Sequence, residues 1–144
     1  MKALSIAIAL LLSVRAVAAA ELNEPMLMKD PLPPGLSGPR PKMASLPDIS
    51  SPTGDDLVAC LRYDIGPDGT TSNIKIFHST GMAEIDDRIV KWYSTRKFEP
   101  AALNDAHVSV RLIGTFYARA KPAPDLQPLK RYECSWAEAE ANLP

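Results

Sequence analysis

Apolar and polar side chains alternate along residues 59–65, as expected for a strand with one buried face. The apolar positions are Ala59, Leu61, Tyr63 and Ile65. Residues 66–69 read Gly-Pro-Asp-Gly, which favours a turn, and the alternation resumes at residues 74–76. The pattern predicts two strands joined as a β-hairpin.

The apolar spacing then changes to that of a helix. Four apolar residues fall at intervals of four, three and one, which places them on one face of a helix that ends before Pro100. They are Ile85, Ile89, Trp92 and Tyr93. A third strand follows, in which Val108, Val110 and Leu112 alternate with polar residues. The predicted order is strand, strand, helix, strand.

Both flanks of this unit are rich in proline. Residues 21–53 hold little apolar periodicity, and we interpret them as an extended linker because proline fixes φ and lacks an amide donor. Residues 119–144 are interpreted as a tail tied back to the domain, with a short helix near Trp136 that needs packing to be stable. The folded domain is therefore predicted at residues 54–118.

The first twenty residues have the three parts of a secretory signal peptide. Lys2 is followed by an apolar stretch and then by small residues that end at Ala20, after which we predict cleavage. The alternative is an uncleaved membrane anchor, although Arg15 interrupts the apolar run well before the roughly 20 residues that a spanning helix needs. Cleavage predicts a periplasmic protein without a membrane span.

The length and charge of the chain bear on the number of domains and on the class of partner. The chain has 144 residues and a formal net charge of -1, with lysine and arginine scattered along it. This length suits one modest core, and the absence of a clustered basic stretch argues against a nucleic-acid partner. Nothing in the composition points to a cofactor.

The two cysteines, Cys60 and Cys134, form one possible pair. Disulfides persist in the compartment that a signal peptide implies, so we predict a bond between them. Two unpaired buried thiols are the alternative. Their separation does not match a zinc motif, and no metal site is predicted.

Residues of catalytic type occur close together without a catalytic motif. His78, Ser79 and Asp86 are the residue types of a nucleophilic triad, but no Gly-x-Ser-x-Gly turn surrounds the serine. We interpret Ser79 as part of a corner that offers an oxygen to helix amides, and Asp64 and Asp68 as part of a solvated hairpin. The sequence therefore predicts no catalytic residue and a protein that is not an enzyme.

Several spaced pieces resemble the TonB C-terminal domain family. They are LRYDIGPDG at residues 61–69, NIKIFHSTG at 73–81, Ile-Asp at 85–86 and KFEPA at 97–101. In that family they correspond to a strand with a D-G turn, a second strand with a serine-glycine corner, the start of the helix and its R-F-x-P-A ending. The resemblance implies an α+β fold of two layers, with one helix on a three-stranded antiparallel sheet.

The resemblance also implies a partner. Family members bind extended N-terminal segments of outer-membrane receptors by strand addition, in support of transmembrane transport. The implied edge here is the third strand, Val108 to Phe116, and the candidate contacts are His107, Ser109, Arg111 and Ile113. The alternative is a structural or regulatory periplasmic domain that binds no receptor segment, and self-association is open.

Strand parity leaves a second apolar face, directed away from the helix. Its predicted members are Val58, Cys60, Phe77, Ile113 and Tyr117. Either the tail covers it through Leu126, Leu129 and Trp136, or it is an exposed partner surface. A disulfide between Cys60 and Cys134 would favour the first.

Overall fold

The computed structural model describes residues 24–42, 49, 56–118 and 132–144. The predicted signal peptide, the remaining linker residues, and Leu126 and Leu129 of the tail lie outside these ranges. The described strands are β1 (Met26–Leu27), β2 (Leu36–Ser37), β3 (Arg40–Pro41), β4 (Leu57–Ile65), β5 (Thr71–His78), β6 (Phe98–Glu99), β7 (Ala101–Leu103), β8 (Ala106–Val108) and β9 (Val110–Ala118). The described helices are α1 (Ala83–Thr95) and α2 (Trp136–Asn142).

The main sheet has four strands in the order β1, β9, β4, β5. β4 is antiparallel to both of its neighbours, and its register with β9 runs from Leu57 opposite Ala118 to Ile65 opposite Val110. β1 is parallel to β9 and extends the sheet beyond it. The remaining short strands form two small sheets, β2-β7-β8 and β3-β6.

The predicted fold class is wrong. The alternating patterns correspond to β4, β5 and β9, and the helical pattern corresponds to α1, but the described residues hold nine strands in three sheets and two helices. The fold is mostly β, with the largest sheet curled into a half-barrel, instead of a three-stranded sheet with one helix. The segment interpreted as linker contributes β1, β2 and β3.

The missed strands are too short to show a period of two. β1, β2, β3 and β6 have two residues each, so alternation cannot distinguish them from loop. Proline is also compatible with their positions at sheet edges, where Pro41 of β3 lies opposite Phe98. Their pairing comes from the surrounding tertiary structure, which a local pattern does not record.

The core lies on the face of β4 that packs against α1, and the opposite face is partly covered as well. Ile85, Ile89 and Tyr93 of α1 are buried, as the helical spacing predicts, and Trp92 is half-buried beside them. Along β4 only Val58 and Arg62 are more than marginally exposed. A strand with one solvated face would alternate in burial, so a second layer covers the face opposite α1.

That second layer is the C-terminal tail, and the predicted disulfide is confirmed. Cys60 and Cys134 are bonded, with their Cα atoms 5.7 Å apart, and Cys60 is fully buried. The Thr115 hydroxyl donates to Cys134 Sγ at 2.9 Å, and the Tyr117 hydroxyl donates to the Tyr132 carbonyl. The described part of the tail therefore covers the second apolar face around Cys60.

One register detail departs from strict alternation between β4 and β5. A shift in the β4–β5 register between Cys60 and Leu61 sets His78 opposite Cys60 and Ile76 opposite Leu61. Such a bulge inserts an extra residue, so strict alternation fails there. His78, and not Phe77, is therefore the residue of β5 paired with Cys60 on the tail side.

Gly114 of β9 lies beneath two tyrosine rings of the core. Tyr63 and Tyr93 pack with ring centroids 5.2 Å apart, and burial raises the pKa of Tyr63 to about 12. A β-carbon at Gly114 would lie 3.1 Å from Tyr63 Cε1 and 3.1 Å from the Tyr93 hydroxyl oxygen. We expect Gly114→Ala to lower the free energy of unfolding by about 1–2 kcal/mol, because the rings must shift.

Urea unfolding of the purified variant measures this cost. Gly38→Ala is the matched control, since a β-carbon there meets only Met28 Cε at 3.4 Å, an ordinary contact. We expect the control to stay within about 0.5 kcal/mol of the native protein. Equal midpoints for Gly114→Ala and the control would contradict the packing described for the two tyrosines.

Candidate functional site

The edge predicted to bind a partner already carries a strand of the same chain. The Met26 amide donates to the Ser109 carbonyl at 2.9 Å, and the Met28 amide donates to the Arg111 carbonyl at 2.9 Å. Met26 lies opposite Val110 and Leu27 opposite Arg111, in parallel register. The edge is therefore competent for strand addition, and β1 occupies its first part.

The outer edge continues past β1. Because the Ser109 and Arg111 carbonyls face β1, strand alternation directs the amides and carbonyls of Ile113, Thr115 and Tyr117 to the same side. β1 pairs only with Val110 and Arg111, and no other strand in the described ranges pairs with this side of β9. Within the described part of the chain, the outward backbone groups of these three residues have no strand partner.

Two neighbouring elements hold β1 in place. Met26 and Met28 are half-buried and pack against the core. Trp136 of α2 donates through its indole Nε1 to the Met28 carbonyl at 3.2 Å. Lys29 pairs with Glu140 of α2, and its Nζ lies 5.3 Å from the centroid of the Trp136 ring. Helix α2, anchored through Cys134, thus contacts the strand that fills the edge.

β1 begins a longer segment that follows the domain. We call residues 24–42 the strap. Leu36 of β2 lies opposite Leu103 of β7, and Arg40 of β3 lies opposite Glu99 of β6. The strap is therefore part of the folded domain at three places.

Arg111 points its side chain across the sheet to a buried acid. Its Nε donates to Asp64 Oδ1 at 2.6 Å and its Nη2 to Asp64 Oδ2 at 2.9 Å, while Asn73 Nδ2 donates to Oδ2 at 2.8 Å. Asp64 is only 4% exposed. Burial alone raises the pKa of Asp64, but the hydrogen bonds from Arg111 and Asn73 and the charges of Arg111 and Arg62 outweigh it and lower the pKa.

This pair corrects the interpretation of Asp64 as part of a solvated hairpin. Asp68 does lie in the exposed turn, where its carboxylate accepts from the Thr70 amide at 2.9 Å and from the Thr70 hydroxyl at 2.6 Å. Asp64 instead faces Arg111, its partner in the β4–β9 register. The Arg111 side chain therefore stabilises the sheet, and its backbone forms the edge.

The candidate contact residues do not all lie together. Ser109 separates β8 from β9, and the backbones of Ser109, Arg111 and Ile113 follow the same outer edge. His107 lies in the second sheet, exposed and opposite Ala102 of β7. The structure thus brings together three of the four residues and sets His107 apart.

Sequence reasoning missed Met26 and Met28, which belong to the site. The available signal was a short apolar run, Met26-Leu27-Met28, between Pro25 and Pro31 in an otherwise polar stretch. An extended segment with alternate apolar side chains can pair with a sheet edge. The proline content directed the interpretation toward a linker instead.

Of the three residues of catalytic type, Ser79 and Asp86 are hydrogen-bonded to each other, and His78 is directed to another partner. The Ser79 hydroxyl donates to Asp86 at 2.5 Å, and the Thr80 hydroxyl donates to the same carboxylate at 2.7 Å. His78 Nδ1 lies 3.1 Å from Glu138 of α2, not beside Ser79. The oxygens of Ser79 and Thr80 accept from the amides of residues 81 and 82, just before α1, instead of from amides within the helix. These side chains order the corner and the contact with the tail.

No group of three or more metal-binding side chains occurs among the residues that the structure describes. Within the same ranges, neither helix is long and apolar enough to cross a membrane. When the sequence is compared with protein-family models and with curated proteins, neither comparison finds a match.

Proposed function

We propose that this protein is a periplasmic protein-binding module related to the TonB C-terminal domain, which takes up an extended segment of an outer-membrane receptor along the outer edge of β9. It thereby serves transmembrane transport without catalysing a reaction. Backbone hydrogen bonds supply the attachment, and alternate side chains of the partner supply selectivity.

The observation that carries this proposal is the pairing of β1 with β9. The two-residue strand β1 is held there by hydrogen bonds from the Met26 and Met28 amides to the Ser109 and Arg111 carbonyls. Isolated short strands are marginal in water, so an edge that orders such a strand provides a favourable template. The outward groups of Ile113, Thr115 and Tyr117 extend that template within the described residues.

The receptor assignment rests on the resemblance. The strand, D-G turn, second strand, helix and R-F-x-P-A-like pieces correspond to β4, the turn at residues 66–69, β5, α1 and the segment before β7. The edge implied by the family is that of β9, after the break at Ser109. This agreement in order supports a receptor segment as the partner.

The second candidate is a structural or regulatory domain that binds no receptor segment. β1 occupies the start of the edge, and the Cys60–Cys134 bond holds the tail over the face opposite α1. If β1 and the tail stay in these positions, the edge and the face are both occupied and no partner can bind there. The two candidates differ in whether β1 yields to an incoming strand.

Titration with a receptor-derived peptide tests the proposal. We expect Ile113→Pro to weaken binding at least about tenfold, because proline removes an outward amide donor while leaving the β4 pairing intact. Ile113→Ala is the matched control, since it keeps the amide and should change affinity by less than about threefold. Fluorescence anisotropy of the labelled peptide measures both, with circular dichroism to check folding.

Proline at Ser109 or Arg111 is a less clean test. Both residues lie where β1 pairs with the edge, so proline at either position disturbs the native strap as well as any partner. Undiminished binding by folded Ile113→Pro would contradict attachment at this edge. Absence of binding by the native protein and by every variant would favour the structural or regulatory alternative.

A further inference from the structure

The segment that fills the β9 edge has a chemical pattern of its own. The negative charge of Glu24 adds, after Asp64, to raising the pKa of the Arg111 guanidinium. Met26 and Met28 follow at alternate positions and pack against the core, whereas Leu27 between them is 41% exposed. Lys29 comes next and pairs with Glu140 of α2.

Each of these contacts has a complementary group outside β1. The edge offers the positive charge of Arg111, which is itself paired with Asp64, before the first apolar position and the Glu140 side chain after the second, with apolar packing between them. Opposite charges at the two ends fix direction as well as position. The parallel orientation of β1 on β9 is consistent with this polarity.

We propose that residues 24–29 are an internal occupant of the binding edge, which a partner must displace, and that the partner segment repeats their pattern in parallel orientation. That pattern is an acidic residue, apolar residues two and four positions later, and a basic residue directly after the second apolar one. This inference rests on the proposed function and adds the chemistry of the partner and the competition that regulates its access.

The strength of the competition between β1 and a partner follows from the effective concentration of the tethered segment. A segment tethered by a short linker acts at an effective concentration on the order of millimolar. An occupant with an intrinsic dissociation constant of about 100 μM would then fill the edge roughly ten times out of eleven, and it would weaken a competitor about tenfold. A substitution that weakens the pairing of β1 should therefore tighten binding of the competitor by up to about tenfold.

A fluorescent peptide with the sequence of residues 24–30 is the probe, titrated against the full mature chain. Met28→Pro removes the amide that donates to the Arg111 carbonyl, and we expect it to bind the probe about tenfold more tightly than the native protein. Leu27→Pro is the matched control, because the amide at that position faces away from β9 and affinity should be unchanged. Trp136→Phe removes a donor that both the native Met28 carbonyl and the same carbonyl of a bound probe would use, so it should not strengthen binding of the probe.

The sequence of the probe tests its chemistry. A probe with lysine in place of Glu24 should bind Met28→Pro at least about threefold more weakly, and 0.5 M salt should reduce the difference. Equal affinity of the native protein and Met28→Pro for the original probe would overturn the internal occupant. Equal affinity of the original and lysine probes at low salt would overturn the proposed pattern.

A parallel titration with the receptor-derived peptide separates this inference from the proposed function. Binding of that peptide to the native protein and to Met28→Pro with the same affinity would leave the proposed function standing and reject displacement. Failure of the receptor-derived peptide with every folded variant, while the probe binds Met28→Pro, would reject the receptor assignment alone.

Discussion

Loss of the Cys60–Cys134 disulfide is expected to lower the free energy of unfolding by about 4 kcal/mol. The bond links residues 74 positions apart, and in the chain-entropy model a loop of this length gives a stabilisation of that size. The bond also holds the tail over a face that includes fully buried Cys60. A Cys60→Ala, Cys134→Ser double variant measures the effect by urea unfolding against the native oxidised protein.

Thiol titration provides the control for this prediction. The native protein, unfolded without reductant, should contain no reactive thiol, and the same protein after reduction should contain two. Unfolding midpoints that agree between the native protein and the double variant would show that the disulfide contributes no stability. Two free thiols before reduction would contradict the bond itself.

Arg111→Met is expected to lower the free energy of unfolding by about 3 kcal/mol at pH 7. The substitution keeps an apolar stem of similar length but leaves the Asp64 carboxylate, which is 4% exposed, without its bidentate partner. Removal of one member of a buried ion pair costs this much because the remaining charge stays desolvated. Urea unfolding of the native and variant proteins gives the difference.

This cost should depend on pH in a defined direction. The native pKa of Asp64 lies below its ordinary value, so its stabilising contribution is present above about pH 4 and is lost as pH falls through the native pKa. In Arg111→Met, burial of Asp64 without the guanidinium should raise the pKa of Asp64. Protonation of Asp64 then removes the desolvated charge and reduces the loss of stability in the variant. The difference between the two proteins should therefore shrink from pH 7 to pH 3.

An Asp64→Asn, Arg111→Met double variant is the matched control. It removes both charges, and the amide at position 64 can still accept from Asn73. We expect it to lose less stability than Arg111→Met alone at pH 7. A double variant at least as unstable as the single one, or a difference that does not vary with pH, would contradict the role assigned to the ion pair.

The longer elements of the fold could be predicted because each has a period of its own. The alternation around Leu61 and Ile76 corresponds to β4 and β5, and the spacing of Ile85 and Ile89 corresponds to α1. These segments are long enough for one face to be consistently apolar. In these segments, the positions that are apolar in the sequence are therefore the positions that face the interior of the fold.

The residues after α1 illustrate why other strands were missed. β7 and β8 are three residues each, joined by Asn104 and Asp105, which have φ values of 48° and 68°. Two such residues between short apolar runs are typical of a tight hairpin turn. That signal was present, but the predicted third strand at Val108 to Phe116 ran through the break at Ser109.

The candidate site was predicted only in part because half of it comes from another region of the chain. The alternating pattern and the resemblance placed Arg111 and Ile113 on the third strand, but they did not reveal that Met26 and Met28 would pair with that strand. They also did not reveal that Asp64 would be buried against Arg111. Contacts over such separations depend on the completed fold, and alternation within one segment contains no information about them.

The most direct test of the proposed binding edge is amide hydrogen exchange, followed by NMR, at alternate residues of β9. In the free protein, the Arg111 amide should be protected by β1, whereas those of Ile113, Thr115 and Tyr117 should exchange faster than those of Leu112 and Gly114, which face β4. A saturating receptor-derived peptide should protect Ile113, Thr115 and Tyr117 and should shift the Met26 and Met28 resonances. Peptide binding that leaves the exchange of these three amides and the two methionine resonances unchanged would contradict the assignment of this edge as the binding site.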